Sequence, residues 1–132
     1  MNTYTFYDAT GNIRFIYSGF CLETMVENYP DLKYIFGSYD GNKYYILNNI
    51  IKERPIQNTI LDKIQISANG IDILTIADAP IGEITIYGFN SEKSIVSNIN
   101  NTETFITTIP DTYQISIIAF PYLAFHTTFE AI

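Results

Sequence analysis

The second half of the chain repeats one pattern, in which short runs of alternating apolar and polar residues are separated by turn residues. The closing stretch PDTYQISIIAFPYLAFHTTFEAI, residues 110–132, is an example. Successive side chains of a strand point to opposite faces, so Tyr113 and Ile115 share one face. Pro121 has no backbone N–H for a sheet and should lie at the end of this strand or in the hairpin loop. The stretch therefore predicts a closing hairpin whose second strand covers residues 125–130.

The same pattern extends back to residue 56 and predicts an antiparallel β fold for this half. Short strands with frequent turns between them are typical of an immunoglobulin-like β-sandwich. Tyr113 follows a Pro110-Asp111 turn, where such sandwiches place a tyrosine that hydrogen-bonds back across the turn. A turn at residues 80–82 is expected to separate two of the strands. The predicted strands lie near residues 64–66, 71–76, 83–87, 94–96 (an edge strand), 104–108, 112–120 and 125–130.

Residues 1–55 read as a separate small β-rich module with one short helix. A hairpin is predicted around the turn residues of DATGN, because Asp, Gly and Asn tolerate turn conformations. Apolar residues at helical spacing then predict a helix near residues 22–29, which Pro30 ends. A second strand–turn–strand unit is expected around Asp40-Gly41-Asn42. The mainly β prediction thus has two parts, with the boundary at Pro55.

Charge and composition limit the classes of partner. The net charge is −7 and Lys and Arg are not clustered, so neither nucleic acid nor an anionic membrane is an expected partner. The first residues lack the basic and apolar regions of a signal peptide, so we expect synthesis in a cytoplasm. Cys21 is the single cysteine, which excludes an internal disulfide. The fold must rest on packing alone.

No residue pattern in the sequence indicates a reaction, a metal or a cofactor. His126 is the only histidine, and zinc sites need several His or Cys ligands. The carboxylates are scattered, and no glycine-rich nucleotide-binding motif occurs. We therefore expect a protein without enzymatic activity, metal or cofactor. A small hydrolase with a site in the sandwich loops remains a third hypothesis without a supporting motif.

The tyrosines are the candidate contact residues. The chain has 11 tyrosines and no tryptophan, and tyrosine rings cover contact area at low entropic cost. Three of them cluster around one predicted hairpin and a fourth follows Pro121. The alternative is that many of the rings fill the core. The predicted contact surface consists of Tyr39, Tyr44, Tyr45 and Tyr122.

Three motifs in order resemble a known family. These are YTFYDATGNIRFIYSG at the start, KERP at the junction and PDTYQISIIAFPYL near the end. Together they resemble small tail- or fibre-associated structural proteins of tailed bacteriophages, in which a short N-terminal module leads into an immunoglobulin-like domain. That domain ends in a strand with Phe or Trp followed by Pro-Tyr-Leu, as at residues 120–123. Thr112 departs from the Gly that is more usual before the tyrosine.

The resemblance implies a virion protein of the tail or tail fibre that acts by contact. Its partners would be other tail, fibre or capsid proteins, with copies of itself in a homo-oligomer or symmetric array. Two alternatives stay open, a capsid decoration protein and a carbohydrate-binding module for host surface glycans. A glycan binder should show coplanar exposed rings over a concave surface with Asp or Asn beside them. A docking module should show an apolar or strand-edge patch.

Overall fold

The protein is mainly β, as predicted. The computed structural model describes all 132 residues, Met1–Ile132, with 54% in strands and 5% in a single short helix. The chain divides into two compact units, Met1–Pro55 and Ile56–Ile132.

The first unit contains a three-stranded antiparallel sheet and a separate two-stranded hairpin. The sheet has the strand order β2-β1-β3, and the hairpin joins β4 to β5. No residue of the helix is buried. The elements are β1 (Asn2–Tyr7), β2 (Ile13–Gly19), α1 (Leu22–Asn28), β3 (Lys33–Phe36), β4 (Tyr44–Leu47) and β5 (Ile50–Glu53).

The expected strand–turn–strand order is present, because Asp40-Gly41-Asn42 lies in a turn between β3 and β4. The expectation that these two strands form a hairpin is wrong, because β3 pairs with β1 and β4 pairs with β5. The hairpin turn is instead Asn48-Asn49, with φ of 52° and 64°. A two-residue hairpin loop of type I′ requires positive φ at both positions, and Asn tolerates that conformation.

The second unit is built on one six-stranded sheet. The strand order is β6-β8-β10-β11-β7, and β9 pairs with β8 outside this path. All pairs are antiparallel except β11 with β7. The fold is consistent with a β-sandwich-like class. The elements are β6 (Ile60–Leu61), β7 (Gln65–Ile66), β8 (Leu74–Gly88), β9 (Ser94–Phe105), β10 (Asp111–Ile118) and β11 (Phe125–Ala131).

The strand boundaries of β8 and β9 correct the prediction. The end of the predicted strand 71–76 and all of 83–87 belong to the single strand β8, while 94–96 and only the first two residues of 104–108 belong to β9. The expected turn at residues 80–82 lies inside β8, where the register with β9 shifts on each side of Ala79. Such bulges bend a strand without ending it. Gly82 allows the bend, because a Cβ there would collide with the carbonyl oxygen of Ile118.

The closing hairpin and the tyrosine corner are confirmed. β10 and β11 pair antiparallel, with Tyr113 opposite Phe129 and Ile115 opposite Thr127. The Tyr113 hydroxyl donates to the carbonyl oxygen of Ile109 at 2.7 Å. The peptide bond between Phe120 and Pro121 in the connecting loop is cis. The hairpin contributes to a core made of Ile66, Leu74, Ile76, Ala79, Ile84, Ile86, Ile99, Phe105, Tyr113, Ile115, Ile117, Ala119, Phe129 and Ala131.

Candidate functional site

Strand β9 has one free edge. It forms ladder hydrogen bonds with β8 alone, so the opposite edge of Ser94–Phe105 is not paired with another strand. A free edge presents a row of unpaired N–H and C=O groups that another strand can use. The sequence had predicted an edge strand here, but only over residues 94–96.

The free edge lacks most of the features that protect edges in soluble proteins. Residues 94–102 carry no charge and no proline. Ile95 is 50% exposed and Val96 is 60% exposed. The one irregular feature is Asn101, whose φ of 72° bends the strand and limits the straight part to residues 94–100. An uncharged, partly apolar edge of this length has the backbone groups that an added extended chain can pair with.

An apolar groove adjoins the first part of β9. Ile95 pairs with the buried Ile86, so its side chain lies on the core-facing side of the sheet. It is nevertheless half-exposed because no further strand covers it. We call this cavity of about 340 Å³ the β9 groove; its lining is Gly70, Ile86, Lys93, Ile95, Phe105, Ile106, Thr107, Thr108, Ile109 and Tyr113.

Lys93 is the only charged side chain in the lining of the β9 groove. Ile106, also part of the lining, is 52% exposed. A strand added beside β9 would place every second side chain on the side of the sheet where the groove lies, because side chains alternate across a strand. The groove thus favours an added strand with apolar residues, and with a carboxylate near Lys93.

Asp111 fixes the turn from which β9 begins. Its buried carboxylate accepts hydrogen bonds from the backbone N–H of Asn90 and from both the N–H and hydroxyl of Ser91. Burial raises the pKa of Asp111, but the hydrogen bonds from Ser91, Asn90 and Thr112 outweigh it and lower the pKa to about 2. The carboxylate is therefore ionised at neutral pH and ties the β8–β9 turn to β10.

Three of the four predicted contact tyrosines lie in the first unit. Tyr39 and Tyr44 are in contact in the first unit, with ring centroids 6.0 Å apart at 79°. This edge-to-face pair does not offer the flat double platform expected of a glycan binder. Tyr45, next to Tyr44 on β4, points to the opposite face of that strand. Tyr122 belongs to the second unit.

Tyr122 lines a polar cavity of about 460 Å³, here called the Tyr122 cavity. Its polar lining comes from Asn58, Asp78 and Asn101, with Ala79 and Pro80 completing the wall. Gln57, next to Asn58, holds this wall against the closing hairpin through hydrogen bonds to the carbonyl oxygens of Ile117 and Leu123, each 3.0 Å. One aromatic ring beside Asn and Asp side chains matches half of the pattern expected for a glycan site.

An aromatic sheet face in the first unit was not predicted. Cross-strand pairing places aromatic residues of β1, β2 and β3 on one face, because Phe6 pairs with both Phe15 and Tyr34. The Phe6 and Phe15 rings stack with centroids 4.8 Å apart. Phe36, at the end of β3, is 69% exposed. This face depends on which strands pair. The hairpin expected at Asp40 would pair β3 with β4, whereas β3 pairs with β1.

A serine also lies beside the only histidine. Ser116 and His126 are directly opposite on β10 and β11, and the Oγ–Nδ1 distance is 2.9 Å. Sequence reasoning missed this pair because it depends on the hairpin register. An activated serine also needs a third group that orients the histidine. The other ring nitrogen of His126 has no hydrogen-bond partner in the chain, and the pair lies on an exposed sheet surface.

The structure contains no group of three or more His, Cys, Asp or Glu side chains arranged to hold a metal ion. None of its helices has the length and apolar character needed to span a membrane.

The chain matches no protein-family model, no curated protein and no solved structure.

Proposed function

We propose that this protein is a non-enzymatic structural protein that docks onto neighbouring protein subunits through the free edge of β9, as a linking component of a bacteriophage tail or tail fibre. The observation that carries the docking function is the uncharged edge at residues 94–100 beside the apolar β9 groove. Strand addition at such an edge gains backbone hydrogen bonds, and the groove adds side-chain selection.

The assignment to a virion rests on the sequence motifs. The hairpin motif at the start and the Phe-Pro-Tyr-Leu motif at residues 120–123 resemble small tail-associated proteins. A docking edge suits such a particle, because symmetric repetition turns weak single contacts into firm attachment. A capsid decoration protein would use the same kind of edge, so the location in the particle is the first property to measure.

The test is mass analysis of purified virions from the phage that encodes the chain. We expect the protein at a fixed ratio to a major tail or fibre protein. Val96→Lys places a charge on the free edge and should reduce incorporation at least tenfold. Thr128→Lys, on an exposed position of the paired strand β11, is the matched control and should be incorporated normally. Absence of the wild-type protein from particles would refute the proposal.

Carbohydrate binding is the second candidate function, and the Tyr122 cavity is the observation that favours it. Asn and Asp side chains hydrogen-bond sugar hydroxyls, while an aromatic ring packs on the apolar face of a sugar. Glycan-array binding that is lost in Asp78→Asn and Tyr122→Ala would support this function. Asn is suitable at residue 78 because φ there is 57°, which Asn also tolerates. An array without any bound glycan would rule it out.

A further inference from the structure

We infer that the strand seated on the free edge of β9 is β9 of a second copy of this chain, paired antiparallel about a two-fold axis at Asn98. The inference rests on the proposed docking function, because it uses the same edge. It adds the identity of the partner. Two-fold pairing is the commonest symmetry of homo-oligomers, and it requires a surface that complements itself.

The charges around β9 are self-complementary in this register. Lys93 precedes the uncharged run of residues 94–102, and Glu103 follows it. Antiparallel pairing centred on Asn98 brings Lys93 of each copy opposite Glu103 of the other. Opposite charges placed across two strands stabilise the pair, and like charges destabilise it. A shift by one residue in one direction would place Glu92 opposite Glu103, and a shift in the other direction would leave Lys93 opposite the uncharged Thr104. Charge therefore favours the register centred on Asn98.

The two charged residues also lie on the same side of the sheet. Lys93 lines the β9 groove with Ile95. Glu103 is opposite the buried Ile76 and therefore on the core-facing side as well. The bend at Asn101 limits the straight part of the ladder between the two copies to residues 96–100 of each copy. Lys93 and Glu103 lie outside this part, and their side chains are long enough to reach beyond it.

Pairing would cover apolar surface that is otherwise in water. Val96 is 60% exposed, and in this register it lies opposite Asn100 of the second copy. A single strand edge buries less than the interface of a stable dimer, so we expect a weak dimer with a Kd on the order of 100 µM. In a particle, neighbouring copies at high local concentration would complete the pairing.

Sedimentation equilibrium of the full chain tests the inference. The protein concentration runs from about 10 µM to about 1 mM, which brackets the expected Kd. We expect a monomer–dimer equilibrium in the wild type. Lys93→Glu and Glu103→Lys should each weaken dimerisation about tenfold, because each creates like-charge pairs. The double variant Lys93→Glu/Glu103→Lys should restore it. Circular dichroism and thermal melting of each variant show that the fold is kept.

A cross-link tests the register independently of charge. In a Cys21→Ser background, Asn98→Cys should form an intermolecular disulfide, since residues on the two-fold axis face each other within disulfide reach. Val96→Cys, which faces Asn100, is the matched control and should cross-link much less. Equal cross-linking of both variants would overturn the register.

The outcomes separate this inference from the proposed function. If the full chain is still a monomer at about 1 mM, the highest concentration measured, self-pairing is overturned. If that monomer is still found in particles at a fixed ratio, the docking function stands with a different partner. A dimer rescued by the charge swap but absent from particles supports self-pairing and refutes the virion function.

Discussion

Hydrogen bonds of the Tyr113 hydroxyl hold one turn of the second unit in place. The Tyr113 hydroxyl, buried beside Phe105 and Phe129, donates to Ile109 O and lies 3.1 Å from Thr107 Oγ1. Removing one buried partner leaves the other unsatisfied, so the cost is larger than the net worth of the bond. The tyrosine corner therefore depends on one oxygen atom.

Tyr113→Phe removes that oxygen and keeps the ring. We expect the free energy of unfolding to fall by about 1–2 kcal/mol. Urea denaturation followed by circular dichroism measures the change. Tyr87→Phe is the control, because no hydrogen bond of the chain involves the Tyr87 hydroxyl. A Tyr113→Phe variant as stable as this control would contradict the role assigned to the corner.

The buried carboxylate of Asp111 makes stability depend on pH. Its pKa is lowered from 3.8 to about 2, so the folded state favours the ionised form more than the unfolded state does. The stabilisation is complete above the unfolded pKa of 3.8 and is lost as the pH falls through the folded pKa of about 2.

Asp111→Asn should remove this part of the pH dependence. Asp8 and Asp72 also have lowered pKa values, so the wild type will lose further stability in acid for other reasons. The informative quantity is the difference in urea midpoint between wild type and Asp111→Asn. It should be constant from pH 7 to about pH 5 and shrink toward about pH 2. A difference that does not change with pH would contradict the assignment.

At the scale of elements, the bend in β8 is what the sequence reading missed. Pro80 and Gly82 predict a turn, because Pro and Gly usually interrupt strands. They lie instead at bulges, where a strand can contain both residues and continue. The difference depends on β9 and β10, which pair with β8 on its two sides. Local sequence does not contain that information.

Gly82→Ala tests the bend directly. The new Cβ would collide with Ile118 O and with the Ala119 side chain, so β8 or β10 must shift. We expect a loss of about 1–3 kcal/mol, as for other overpacked positions. Ile81→Ala is the control, since Ile81 is largely exposed on the same bend. Thermal melts of both variants give the comparison, and equal melting temperatures would contradict the close packing at Gly82.

The closing hairpin shows why other elements were predictable. Alternation across residues 112–120 fixes which side chains enter the core, and Pro121 marks the end of the strand. Both signals are local. The β4–β5 hairpin could not be predicted from local signals, because Asp40-Gly41-Asn42 and Asn48-Asn49 are both acceptable turn sequences. Strand partners decided between them, and partners are set by long-range contacts.

The candidate site was predictable to a similar degree. The sequence predicts an edge strand near residue 94, but it does not indicate the extent of the free edge or the β9 groove. Whether the four tyrosines Tyr39, Tyr44, Tyr45 and Tyr122 serve as contacts remains a prediction. Their grouping depended on the strand register of the first unit and on the division of the chain into two units.

At the scale of the whole molecule, the two units have unequal cores. The large apolar core lies entirely within Ile56–Ile132. In Met1–Pro55 the fully buried apolar side chains are those of Phe6, Tyr7 and Ile46. Small domains with little buried surface rarely fold alone. The second unit should therefore carry most of the stability.

Expression of the two halves separately tests this difference. Residues 56–132 should give one cooperative thermal transition by circular dichroism, whereas residues 1–55 should show none. The full chain is the control for the position of the transition. A cooperative transition in the first fragment, or none in the second, would contradict the unequal division of the core.

The free edge of β9 also has a consequence for amide hydrogen exchange. Along an antiparallel strand, successive N–H groups point alternately toward one neighbour and the other. In the monomer, the amides of residues 94–100 that face β8 should exchange slowly and those between them rapidly. Filling the edge would slow the rapid set alone. The exchange pattern of one strand, read residue by residue, thus reports whether that edge is occupied.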